Sequence, residues 1–515
     1  MTHSVYHHGI NSQRELDAHN LQQQQEIYEQ QITNEQRILP PNYNEFEFED
    51  NDFNDTQEEP LLQQLGRRDI DEDQNSYCYN SDEESDTIEQ KSYKLPSDGG
   101  TIFSSFLNMA NSIIGAGIIG LPFAFKEAGF WTGIVFLVVI TVIVDWTVRL
   151  LVFNGKLAGR STYQDLMEFS FGRPGLIAIS IFQFAFAFGG MCAYCVIIGD
   201  TIPHVIRSLY PSIVQTPVLW IFGDRKLCIS FFTLVVSYPL SLYRDISKLA
   251  KTSALALIAI IVIIIGVAIE GPRTSLEIRG SSDLMFNVVH NEVFQAIAVI
   301  SFAFVCHHNS FLIFGSLKQP SLNRFAIVTH WSMAIAFFAC FALAVFGYVI
   351  FTDKTAGNIL NNFPSDNFLI NIARLAFGLN MFTTIPLEAF VCREVLETFY
   401  WPNSPFDKTR HFLITTALIL ITLTISLLTC NLGIVLELTG AFSATVLAFV
   451  LPPLCYLKLA GGSLFEKGKI PHWLCMCFGI LVMVVSTFYS LQKIFMPPDL
   501  HLAGEDGTTV AQTCS

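Results

Sequence analysis

Two short stretches of the chain carry the groups that could do chemistry. The first runs from Phe106 to Pro122 through Asn111-Ser-Ile-Ile-Gly115-Ala-Gly117-Ile-Ile-Gly120, and the second is Phe304-Val-Cys-His307-His308-Asn309-Ser-Phe311. Both interrupt apolar runs. Glycine lowers the cost of non-helical backbone, and proline removes an amide donor. A helix broken inside lipid leaves amides and carbonyls that only a cavity and its ligand can meet. Gly115, Gly117 and Gly120 equally suit a small-residue face for close helix contact, and composition alone does not choose. The second stretch tips the balance, because three polar side chains in succession at membrane depth are costly and mark function there. Half-helix N-termini would face a carboxylate, and free carbonyls would face an ammonium group or a cation. A zwitterion suits such a pair of breaks. Neither break contains an acid or an arginine or lysine that would ask for a charged substrate side chain, so a neutral amino acid is expected.

Other chemistries fit these residues poorly. His307 and His308 are adjacent, so on a helix they point in different directions and do not form the i,i+4 ligand pair of a metalloprotease. Cys192 and Cys195 have CxxC spacing without a second pair, inside an apolar run where cysteine packs as a small hydrophobe. No GxxxxGK[ST] sequence provides a phosphate loop for an ATP-driven pump, and no ring of charges suggests a channel filter. No enzymatic activity, cofactor or nucleic-acid partner is expected.

The elements that must position the two breaks lie in lipid. Of the 515 residues 51% are hydrophobic and only 15% charged, with a mean hydropathy of +0.43. Runs near the twenty residues needed to cross about 30 Å of hydrocarbon recur at 101–128, 130–153, 175–206, 227–243, 252–270, 292–316, 325–352, 366–391, 411–430, 432–457 and 472–495. Both breaks then open a set of five spans, 101–270 and 292–457, which is the sign of inverted repeats around a midplane site. The run 472–495 is an extra helix. The formal charge of −15 lies almost wholly before residue 101, in a tail over residues 1–98 whose acidic clusters and Gln22–Gln25 run predict disorder. Residues 496–515 form a short second tail. Met1 to Ile10 lacks the apolar core of a cleavable signal peptide. Lys156, Arg160, Arg173, Lys248, Lys318 and their like fall in loops on the tail's side, which predicts a cytosolic N-terminus.

The motifs also carry a resemblance. Asn111 to Pro122, Phe304-Val-Cys-His307, Ser316-Leu-Lys318, Pro386-Leu-Glu388, Leu436-Glu-Leu-Thr-Gly-Ala441 and Leu451-Pro-Pro453 resemble the amino acid/auxin permease superfamily, over residues 99 to 495. The look is nearest to fungal vacuolar amino acid transporters and animal sodium-coupled neutral amino acid transporters. This implies an all-α polytopic fold of about eleven transmembrane helices, two inverted five-helix repeats in a LeuT-like arrangement plus one extra helix. It implies alternating access around helices one and six, in a vacuolar or other endomembrane, with the plasma membrane as the alternative. Substrate is expected at Asn111, Ile114, Gly115, Ala116, Gly117, Val305, Cys306 and Asn309. In the sodium-coupled members an Asn of helix one and a Thr of helix eight hold the cation; Asn111 and Thr384 match them, whereas the vacuolar branch uses protons. The loop Gly271 to Asn291 has no cysteine, so the far-side disulfide of animal members is not expected.

Four further groups are read from their positions. His307 is the leading pH-sensing candidate. Glu437 is a coupling candidate, with pairing to Arg374 as its alternative; Glu388 is read as interfacial; and Asp145 and Arg149 form an i,i+4 pair. A different class of function, an amino-acid sensor signalling to a cytosolic partner through the tail, uses the same breaks.

Overall fold

The computed structural model describes residues 101–216, 219–243, 253–402, 404–429 and 431–495. The expected tail over residues 1–98, with any partner it binds, and the whole C-terminal segment 496–515 lie outside them. All regular structure among the described residues is helical. In chain order the helices are α1 (Ile102–Ile113), α2 (Leu121–Ala128), α3 (Phe130–Ala158), α4 (Tyr163–Phe171), α5 (Arg173–Leu209), α6 (Arg225–Phe232) and α7 (Tyr238–Ser241). They continue with α8 (Ser253–Glu270), α9 (Val293–Phe304), α10 (His307–Ser316), α11 (Leu322–Phe351), α12 (Phe368–Tyr400), α13 (Lys408–Leu428), α14 (Leu432–Thr439), α15 (Leu451–Leu459) and α16 (Ile470–Phe495).

Among the described residues nine helical segments are long and apolar enough to span a bilayer, and the pair α1 and α2, bent by 40° at its break, makes a tenth. The expected fourth span is present but short. It is built from α6, a five-residue π turn at Thr233–Ser237 and the four-residue α7, about 26 Å of helix at 1.5 Å per residue. Each expected span thus has a helical counterpart. Two differences have physical causes. The eighth span runs on to Tyr400, because Arg393 in its polar end is held by the Ser241 carbonyl at 3.1 Å and Thr415 Oγ1 at 2.8 Å. Helix α4, between spans two and three, adds an element to the expected spans: it is only nine residues long, too short for a span, and it starts at a Thr162 cap accepting from the Asp165 amide at 3.1 Å.

Lipid explains the two faces of the long helices. On α3, Trp131, Val135, Val138 and Val142 are exposed at helical spacing, while Leu137, Ile140, Val144 and Val148 are fully buried. Span one and span six cross at their breaks: α9 packs on α2 and α10 on α1. First half therefore meets second half in each case, so the two broken spans run antiparallel, the relation that an inverted repeat requires. The crossing is close because Gly117 has no side chain; a Cβ there would lie 2.5 Å from Ala303 Cα. Spans three and eight pack along their length. Within the latter, Pro386 cannot donate to the Phe382 carbonyl four residues back, and Ser237 Oγ takes that acceptor at 3.4 Å.

Candidate functional site

Span one loses its helix at Ile114, whose amide is the last to pair back, to the Ala110 carbonyl at 2.8 Å. A five-residue 3-10 turn, Ala116–Gly120, then leads into α2. Span six breaks at Val305 and Cys306, the two residues between α9 and α10. The C-terminus of α1 and the N-terminus of α10 therefore meet at one level, presenting the end of one helix dipole and the start of another.

A cavity of about 280 Å³ fills the space between them, near the lower end of the roughly 300–1,000 Å³ typical of small-ligand pockets. Asn111, Gly115, Ala116, Gly117, Val305 and Asn309 line it, as six of the eight expected substrate residues. Ile114 and Cys306 do not; both are buried in the surrounding protein. Asn309 ties the two broken spans together, since its Nδ2 donates to Ser112 Oγ of α1 at 2.9 Å. The opposite wall is α12, which contributes Asn380, Thr384 and Glu388. Asn111 and Thr384, the matched cation pair, thus face one space. Thr384 Oγ1 donates to the Asn380 carbonyl at 2.9 Å, leaving its lone pairs as acceptors.

The cavity is one-sided. Its walls continue towards the end from which α1 starts, where Leu312 is 59% exposed. In the other direction Ile118, Ile119, Leu121, Val299 and Ile300 are each at most 1% exposed. On that closed side Arg225 Nε reaches Asp200 Oδ1 at 3.2 Å and Asn361 Nδ2 donates to Asp200 Oδ2 at 3.0 Å, pinning the segment between spans seven and eight.

The remaining expected groups fall elsewhere. His307 points away from the cavity and is fully buried, with Nε2 hydrogen-bonded to Thr147 Oγ1 at 3.0 Å. Its neighbour His308 lines the cavity instead, with its ring 5.0 Å from that of Phe186 and Nε2 accepting from Asn309 Nδ2 at 2.9 Å. The adjacency rule that sent the two rings apart was legible; which one faces inward depends on the break's exact start. Glu437 lies outside the cavity, 3.4 Å from Lys493 Nζ, which also reaches Glu127 at 3.1 Å. It does not pair with Arg374, whose Nη2 donates at 2.7 Å to the Leu360 and Phe363 carbonyls. Asp145 and Arg149 do pair, at 3.0 Å, and His330 joins them at 2.8 Å from Asp145. Glu388 corrects its reading as interfacial: it stands in the cavity wall, because α12 continues three turns beyond it. The sequence signal that could have found it is its position four residues after Thr384, one turn along the same face.

The family described as transmembrane amino acid transporter protein matches residues 98–492. The yeast Saccharomyces cerevisiae protein "Vacuolar amino acid transporter 2" is 42% identical over 393 residues, covering 74% of this chain and 82% of its own. The zebrafish Danio rerio protein "Putative sodium-coupled neutral amino acid transporter 11" is 37% identical over 385 residues, covering 75% and 85%. Among solved structures, a manganese transporter of Eremococcus coleocola covers 77% of this chain and 88% of its own at 13% identity, with a TM-score of 0.48.

Proposed function

The chain belongs to the transmembrane amino acid transporter family, and on that premise we propose that it is a secondary active transporter of neutral amino acids, driven by a gradient of H⁺ or Na⁺. The observation that carries the proposal is the one-sided cavity at the crossing of two broken, antiparallel spans. A zwitterion fits there with its carboxylate towards the N-terminus of α10 and its ammonium group towards the carbonyl end of α1. Asn111 and Thr384 supply neutral oxygens on opposite walls. Alternating access would close α1 and α10 on the N-terminal side while opening the seal around α2 and α9. The identity to a vacuolar transporter supports an endomembrane, and the positive loops support a cytosolic N-terminus.

The test is uptake of radiolabelled amino acids by proteoliposomes carrying the purified protein, under an imposed pH gradient and separately an imposed Na⁺ gradient. Accumulation of neutral amino acids under one gradient is the expected result. Folded protein that accumulates none under either would overturn the reading in favour of a sensor.

A further inference from the structure

Among the described residues the cavity is lined by one acid. Glu388 of α12 lies in its wall, and its Oε2 is buried without a hydrogen-bond partner among the described residues. Every other carboxylate discussed above is neutralised or bonded: Asp145 by Arg149, Asp200 by Arg225, and Glu127 and Glu437 by Lys493. Resting on the transport reading above, we propose that Glu388 is the coupling group, a carboxylate that binds one proton at each turnover so that the loaded cavity closes without a net charge.

The surroundings favour a proton over a metal cation or a fixed counter-ion. From α5, Tyr194 shares the cavity wall with Glu388, and on α12 itself the Cys392 thiol is turned to the Phe184 carbonyl of α5 at 3.9 Å. Gly190 of α5 adjoins the carboxylate side chain, a Cβ there lying at ordinary contact distance, 3.8 Å, from both Glu388 Cγ and Tyr194 Oη. Across the cavity α10 presents His308, whose Nε2 accepts from Asn309 and whose Nδ1 is buried without a partner. From α1 come only the neutral Asn108, Asn111 and Ser112. Among the described residues, Arg393 is occupied by Ser241 and Thr415, Arg410 by Glu397, and the His411 ring by the Leu242 carbonyl. On α8 the acid Glu270 is taken by Asn367 and Arg273.

An ionised carboxylate sealed into such a site without a partner costs several kcal/mol, and protonation removes most of that cost. In the open state shown, water reaches the cavity and the carboxylate exchanges its proton: an O–H bond forms as hydronium loses H⁺, and the reverse restores the anion. A zwitterionic substrate adds no net charge, so closure with substrate and one proton is neutral. Closure with substrate alone buries an anion and is disfavoured. That difference ties closure on substrate to the uptake of one proton.

The experiment compares wild type, Glu388→Gln and Glu388→Asp in proteoliposomes, with radiolabelled L-alanine, L-glutamine and L-isoleucine as probes. Two readouts are taken: accumulation driven by a pH gradient, and exchange of internal for external substrate with no gradient. Glu388→Gln is expected to lose at least ten-fold in accumulation while keeping exchange within about two-fold of wild type. Glu388→Asp is expected to recover part of the accumulation. Accumulation by Glu388→Gln at the wild-type level overturns the proposal. So does loss of exchange together with accumulation in protein that remains monodisperse, since the carboxylate would then be a substrate ligand. Wild-type uptake driven by Na⁺ and indifferent to pH also overturns it while leaving the transport reading intact. A wild type with neither activity fails the transport reading itself.

Discussion

At the scale of single residues the site rests on what is missing as much as on what is present. Gly117 lets span one pass span six at a distance that no side chain would permit, and overpacking of this kind costs about 1–3 kcal/mol or forces a backbone shift. Gly117→Val is therefore expected to reduce uptake at least ten-fold while the protein still inserts in the membrane, as read by uptake beside an immunoblot of the membrane fraction. Normal transport by a correctly inserted variant would remove this crossing from the site. The glycines were legible only in part: with Pro122 they permit a broken helix, but a small-residue packing face suited them equally until the polar run at His307 tipped the balance. Glu388 was not, because a single acid near a span's end reads as interfacial until the helix is seen to continue. His307 and His308 show the same limit in one dipeptide. One residue of register decides which ring meets the cavity, and boundaries are the least certain product of sequence reading.

Among elements, the last span shows how much of the architecture depends on charges far apart in the chain. Lys493 of α16 sits between Glu127 of α2 and Glu437 of α14, so the extra helix is fastened to both broken-helix repeats. Removing one partner of a buried pair strands the rest, at about 3–5 kcal/mol for a fully buried set. Lys493 keeps 33% of its side-chain surface, so about 2 kcal/mol is expected for Lys493→Met, seen as a lower melting temperature in detergent. Adding Glu127→Gln and Glu437→Gln should return most of that loss; a triple variant no better than the single one would mean that packing, not charge, holds α16. The eleven runs of apolar sequence were legible because lipid demands about twenty apolar residues per crossing. Their pairings were not, since Glu437 could have met Arg374 as readily as Lys493 on sequence alone. The fourth span was legible as the run 227–243, but the π turn inside it was not, because a π turn leaves no periodic mark in so few residues.

For the whole molecule, one face of the cavity is open and the other is sealed by the Ile118, Ile119 and Val299 layer. In a cysteine-free variant, Asn309→Cys should react with a membrane-impermeant maleimide applied on the side of the N-terminus, and Val299→Cys should stay unlabelled from either side. Labelling of Val299→Cys from the far side would show that the resting state in the membrane is not the one described. The fold class was readable from composition, yet the state of the transport cycle was not, because the same residues line the site whichever side is open. The Lys493 bridge carries one more consequence, for the time in which the protein is made. Glu127 and Lys493 are 366 residues apart, and at synthesis rates of about 5–20 residues per second the acid waits roughly 20–70 s for its base. Glu127 waits alone for most of that interval; Glu437 joins it 56 residues before Lys493, and the nascent chain then carries two unmatched carboxylates in its membrane segments. A chain cut short before α16 would keep them, and so would display to the cell's quality control a mark that the finished protein has erased.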